Sequence, residues 1–124
     1  MNVLLISPKV LDPGLESLIG GYTIGSGILY IAATVRQAGH NVAVELGNED
    51  NIISLIKKHS PEVVAVTCLT PTYPTAKNVI NLIKKFNPAV LTVLGGHYAT
   101  FMTREIFSEC SVDYILRGGH LTQW

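Results

Sequence analysis

The chain has 124 residues, with nine basic and nine acidic side chains, a charged fraction of 15% and a hydrophobic fraction of 48%. That length suits one domain with a sizeable core, the aliphatic content excludes disorder, and zero net charge leaves no field to recruit nucleic acid or an anionic membrane. No apolar stretch reaches the roughly 18–20 residues of a membrane span, and Met1-Asn2-Val3-Leu4-Leu5-Ile6 opens with neither a basic leader nor a cleavage site; a cytoplasmic protein is expected.

Short β-branched runs alternate with helical periods, the pattern of a parallel α/β sheet. A first strand covers 2–7, continuous in apolar residues as when helices cover both faces. Ser26 is a candidate N-cap for a helix that carries Ile28, Ile31, Ala32 and Val35 at helical spacing until Gly39 stops it. The second strand is 41–46. Asp50 is expected to cap a helix with Ile52, Leu55 and Ile56 on one side, ending at Ser60-Pro61. The third strand is 63–67, and Thr75 is expected to cap a helix whose buried stripe is Ala76, Val79, Ile80 and Ile83. Lys57-Lys58 and Lys84-Lys85 read as solvated cations at helix ends, where the carbonyl dipole favours them. A fourth strand at 90–94, a weaker helix around 103–108 and a fifth strand at 112–116 follow, with no helix after it. Five strands and four helices give a flavodoxin-like, doubly wound, five-stranded parallel sheet in three α/β/α layers. In such a sheet a ligand sits at the carboxyl edge, where the strand order reverses.

The chemistry available at that edge lies in loops. Cys68 and Cys110 stand far apart in sequence and form no CxxC pattern, and no HExxH spacing occurs, so neither a disulfide framework nor a metal centre is expected. Cys68, ending a buried strand, reads as core, and His40 as structural. The loop after the first strand, 8–25, exceeds the length of an ordinary connector and holds Gly20, Gly21 and Gly25. After the third strand come Leu69, Thr70, Pro71 and Thr72, hydroxyls on a proline-stiffened turn. After the fourth come Gly95 and Gly96, which remove Cβ atoms where a flat ligand could approach. His97 follows them and could reach a ligand, although capping the next helix is the stronger reading of it.

Together these stretches are similar to a known family. Thr67-Cys68-Leu69, then 25 residues, then Gly95-Gly96 resembles the Ser-x-Leu and Gly-Gly elements of cobalamin-binding domains. Gly20-Gly21-Tyr22-Thr23-Ile24-Gly25 stands where that family carries Asp-x-His-x-x-Gly, so Gly20 replaces the Asp and Tyr22 the cobalt-ligating His. The chain thereby resembles the subgroup in which a cobalamin-binding domain precedes a radical S-adenosylmethionine domain and the lower-ligand motif is lost. Stretches 27–33, 39–42, 69–74, 94–100 and 112–118 carry the same likeness.

The resemblance implies a cobalamin-binding domain over 1–118, with 119–124 a tail or the start of a linker. It implies a corrin ring across the carboxyl edge, a nucleotide tail in a slot lined by Thr67, Leu69 and Thr70 with Gly95 and Gly96 giving room, and Tyr22 facing the lower side of cobalt without a histidine ligand. It further implies a downstream radical S-adenosylmethionine domain holding the 4Fe-4S cluster and S-adenosylmethionine, in a family of methyltransferases and anaerobic magnesium-protoporphyrin monomethyl ester oxidative cyclases. The Cys-x-x-x-Cys-x-x-Cys of that chemistry is absent here, so no residue of this chain is assigned as catalytic. Three other functions share the fold, and one of them, a flavodoxin-type electron carrier, would want a tight hydroxyl-rich phosphate loop directly after the first strand, which the long glycine-rich loop fits poorly. A signalling receiver would need acids where Ser7-Pro8 and Thr67-Cys68 stand, which argues against it. A docking domain that has lost its cofactor is the remaining alternative.

Overall fold

The computed structural model describes residues 1–8, 26–68, 72–117 and 120–122. Runs of Val, Ile, Leu and Ala form β1 (Asn2–Pro8), β2 (Asn41–Gly47), β3 (Val63–Thr67), β4 (Leu91–Gly95) and β5 (Tyr114–Arg117). These five lie parallel in the order β2-β1-β3-β4-β5, the flavodoxin-like arrangement expected from the sequence. β6 (His120–Thr122) adds a sixth strand, antiparallel to β5, within the stretch expected to be a tail. The helices are α1 (Ser26–Gln37), α2 (Ile52–His59), α3 (Tyr73–Phe86), α4 (His97–Phe101) and α5 (Thr103–Glu109). Where one weak helix was expected around 103–108, two short ones meet at Met102.

The helix ends differ from expectation at three starts: Ser26, expected as an N-cap, is already the first residue of α1, and two others differ more. Asp50 does not cap α2: Asn51 holds the N-cap position, and Asp50 instead donates its amide to Asn48 Oδ1 at 3.0 Å. Asn51 closes the same turn, accepting the Asn48 amide at 2.8 Å and donating to the Leu46 carbonyl at 3.2 Å. Local side-chain bonding of this kind competes with capping. Thr75 does not cap α3 either. That helix begins at Tyr73 with Pro74 in its first turn and Thr72 at the cap position, leaving Thr75 buried inside. The stops are as expected, with Gly39 at φ 96° after α1 and Ser60 at φ 46° before Pro61. Each is a left-handed residue that ends a helix.

Strand alternation sends residues to two unlike faces. One face is covered by α2 to α5 and carries Leu4, Ile6, Val64, Val66, Thr92, Leu94 and Ile115, all fully buried or nearly so. The opposite face is covered by α1 over β1 and β2, where Leu5 and Ala32 are buried and Ile31, Val42, Val44 and Ala65 pack around them.

Lys84 is not the solvated helix end that its position suggested. It donates to the carbonyls of Pro88 and Val90, at 2.9 Å each, and to Asp113 Oδ2 at 2.8 Å. The same Asp113 oxygen accepts the Thr92 amide at 2.9 Å and its hydroxyl at 3.2 Å. Burial raises the Asp113 carboxyl pKa, but these donors outweigh it and hold the group below its ordinary value. The end of α3 and the starts of β4 and β5 are thus tied at the amino edge. Lys85 is exposed, as expected.

Candidate functional site

The order β2-β1-β3 makes the chain turn opposite ways after β1 and β3, so their carboxyl ends diverge and leave a crevice. Of the residues singled out there, Gly20, Gly21, Tyr22, Gly25, Leu69, Thr70 and Pro71 lie outside the described residues. Thr67, Thr72, Gly95, Gly96 and the backbone of His97 are described.

Register brings two of these together. Thr67 of β3 pairs with Gly95 of β4, so Thr67 and the bare α-carbon of Gly95 share the α1 face of the sheet. Ala65 pairs with Val93 and Val63 with Leu91 in the rows below. Val93 is followed across the sheet by Tyr114. These are inner strands, yet Val63, Ala65, Thr67, Val93, Gly95 and Tyr114 are only half-buried and Leu91 is 44% exposed. Their neighbours one position along, Val64, Val66, Thr92 and Leu94, are at most 1% exposed. Among the described residues the cover supplied by α1 therefore ends over β3, leaving an apolar trough along the half-exposed rows of β3, β4 and β5. No Asp, Glu, Lys, Arg or His stands in those rows. A neutral, flat group suits such a floor better than an ion does.

Gly96 does different work from Gly95. Its φ is 106°, and a Cβ there would overlap the Cys68 carbonyl. The Cys68 amide donates to the Gly95 carbonyl at 2.8 Å. The two loop-bearing strand ends are thus clamped backbone to backbone, which only glycine permits. At Gly95 a Cβ would reach no atom closer than Leu116 Cβ at 3.7 Å, so that glycine leaves space rather than relieving a clash.

His97 opens α4 directly behind the pair, with Gly96 as its N-cap; it starts the helix rather than capping it. Cys68 is 1% exposed on the covered face, and burial pushes its thiol pKa up to about 12. A thiol so held is inert packing, as the sequence suggested. Sequence reasoning missed Tyr73 and Tyr98, which stack with ring centroids 4.4 Å apart behind the clamp. The Tyr73 hydroxyl donates to Glu109; burial and then that bond raise its pKa. Lys77 lies 5.9 Å from the Tyr73 ring centroid. The only hint in sequence was one aromatic just after each of the two loops.

Two surface grooves lie elsewhere. One of about 220 Å³ sits at the amino ends of β1 and β2, beside His59, and one of about 340 Å³ runs along α3 past Glu49 and Lys85. Neither includes Thr67, Gly95 or Gly96. No described helix is long and apolar enough to cross a membrane.

Comparison with known proteins points to one ligand class. The family model for the B12 binding domain matches residues 17–120. The anaerobic magnesium-protoporphyrin IX monomethyl ester cyclase of Cereibacter sphaeroides is 26% identical over 125 residues, covering 95% of this chain and 20% of the cyclase. An uncharacterized methyltransferase of Pyrococcus horikoshii is 30% identical over 129 residues, covering 98% of this chain and 28% of that protein. The chain thus spans about a fifth to a quarter of these relatives. Among solved structures, a cobalamin-binding protein from Desulfitobacterium hafniense superposes with TM-score 0.65 at 12% identity, over 87% of this chain and 50% of that one. A LuxR-family DNA-binding response regulator from Staphylococcus aureus gives 0.58 at 14%, over 97% and 88%. At such identities both show the fold alone.

Proposed function

The chain belongs to the B12 binding domain family, and from that premise we propose that it carries cobalamin across its carboxyl edge as the cofactor module of a larger radical S-adenosylmethionine enzyme. One observation carries the reading most directly. Thr67 and Gly95 sit side by side above an apolar trough that stays half-exposed on strands that would otherwise be buried. An uncharged, elongated cradle with one hydroxyl at its rim fits a neutral heteroaromatic nucleotide tail, which buries a flat base and leaves its sugar and phosphate at the edge. The residues present therefore fit the group.

In this reading Thr67, Leu69, Thr70, Pro71 and Thr72 line the β3 side of the tail slot. Gly95 leaves it open, while Gly96 and His97 follow at the β4 end. Gly20, Gly21, Tyr22 and Gly25 face the ring. Cobalamin supplies the reactive cobalt when bound, and the chain supplies binding and orientation. A phenol ionises near 10, against about 6.5 for imidazole, so Tyr22 is a poor neutral ligand where the family has His. In this reading it would block or hydrogen-bond the lower face, with no protein nitrogen offered to cobalt. The relatives' names support methyl transfer or tetrapyrrole cyclisation as the reaction of the whole protein, with the 4Fe-4S cluster and S-adenosylmethionine held on a downstream domain.

The test is to mix the chain with hydroxocobalamin and measure co-elution and the spectrum of the bound cofactor. Retention at micromolar concentration in a base-off form is expected. The cob(II)alamin spectrum should show no nitrogen splitting from a protein histidine. No retention at high micromolar cofactor would favour a docking domain, and a histidine nitrogen signal would sink the role given to Tyr22.

A further inference from the structure

The trough has a floor and, on the β1 side, a wall made by α1. At the far side of the floor lies β5. Val93 pairs with Tyr114 and Leu94 with Ile115, so the next residues along the parallel strands, Gly95 and Leu116, are neighbours on the trough face. The missing Cβ of Gly95 would lie 3.7 Å from Leu116 Cβ and 3.9 Å from its Cδ2. Leu116 is itself half-buried, standing at the border of the space that Gly95 leaves empty. On the row Thr67, Gly95, Leu116 it is the one large apolar side chain.

We infer that Leu116 sets the breadth of the corrinoid lower base that this domain accepts. The inference rests on the cobalamin reading above and adds a specificity determinant to it. A base lying over Gly95 would meet the Leu116 side chain, the large apolar group that borders that space among the described residues. Apolar walls discriminate by size: a methylene too many or too few is worth about 10–200-fold. A leucine offers two methyl groups to shape such a wall, whereas the backbone beneath it is held in register by β3 and β4 and cannot retreat. In the cobalamin reading the corrin ring would lie across the sheet edge, so ring binding and base binding would separate at this residue.

Three ligands resolve this: cobalamin, cobinamide, which has the ring but no nucleotide, and a corrinoid with unsubstituted benzimidazole as its base. The dissociation constants of the 124-residue chain and its variants are compared. The wild type should bind cobalamin at least tenfold more tightly than cobinamide. Leu116→Trp should weaken cobalamin at least tenfold, the benzimidazole corrinoid less, and cobinamide by under twofold. Leu116→Ala, which serves if the tryptophan variant does not fold, should weaken cobalamin about threefold or more and shrink its advantage over the benzimidazole corrinoid, again sparing cobinamide. Leu116→Met, close in volume, should keep the wild-type ranking.

A loss shared equally by all three ligands, or no loss at all, overturns the role of Leu116 while leaving the module reading intact. So does a wild type that binds cobalamin and cobinamide equally, because the base then lies outside the trough. If the wild type binds no corrinoid, the module reading fails and the inference falls with it.

Discussion

The two faces of the sheet are made from the same strands and do opposite things. On one, Leu94, Val66 and Ile115 alternate into a layer closed by four helices and are at most 1% exposed. On the other, Val93, Ala65 and Tyr114, one residue away along the same backbones, stay half-exposed. Strand propensity cannot distinguish them, since both sets are apolar or β-branched. What differs is helix cover, which follows from where each crossover goes. The difference teaches that, among the described residues, burial changes sharply between adjacent positions, so substitutions there should report on separate properties.

The sharpest way to break that division is a pair of neighbours. Leu94→Ala should cost about 2–5 kcal/mol in urea unfolding, since it empties a closed site. Val93→Ala should cost under about 1 kcal/mol, because solvent already reaches that position. Equal losses would show the open face to be core after all. Next in size is Gly96→Ala, where a positive φ costs about 1–2 kcal/mol and the collision with the Cys68 carbonyl adds to it. A loss of about 2–4 kcal/mol is expected, measured by the thermal midpoint, with the separation of β3 and β4 at their carboxyl ends visible as faster exchange of the Cys68 amide. An unchanged midpoint would mean that the clamp is not where the two strand ends are held.

Smaller again is the amino-edge tie. Asp113→Asn should cost about 1–3 kcal/mol, the range for a buried polar group robbed of a partner. Because the folded carboxyl has a pKa below its unfolded value, its contribution is present in full above the unfolded value and fades as pH falls through the folded one. Stability of the wild type should therefore decline in that acid window, and the Asn variant should decline less steeply. A parallel decline of both proteins would assign the acid sensitivity to other groups, Glu45 among them, whose pKa is lowered chiefly by its hydrogen bond to His59.

Much of this frame was legible before any coordinates. The five parallel strands follow from runs of aliphatics bounded by Gly, Pro and Asn, and their order from the crossover rule. The pairing of Thr67 with Gly95 was foreshadowed by two short motifs at successive strand ends. The rest depended on contacts that no local pattern encodes. β6 is three residues long, too short for alternation to show. Only α5 was legible, as the weak helix around 103–108, while α4 is five residues long, too short for a helical period to show. Lys84 has the spacing of a helix-end cation, and its partner Asp113 lies 29 positions on. The trough was invisible for the same reason: Val93 and Leu94 are alike in sequence, and only the path of the helices makes one a floor and the other a core.

The register of β1 has one further consequence, for time rather than structure. Val3 pairs with Val63, so β1 finds one neighbour only across some sixty residues, and a loop of that span is entropically costly to close. The crevice between β1 and β3 does not exist before that closure, and the trough waits further, for β4 and β5. The carboxyl edge of the described sheet is thus complete only once strands far apart in sequence have paired. Any group bound at that edge would stabilise the paired sheet by mass action.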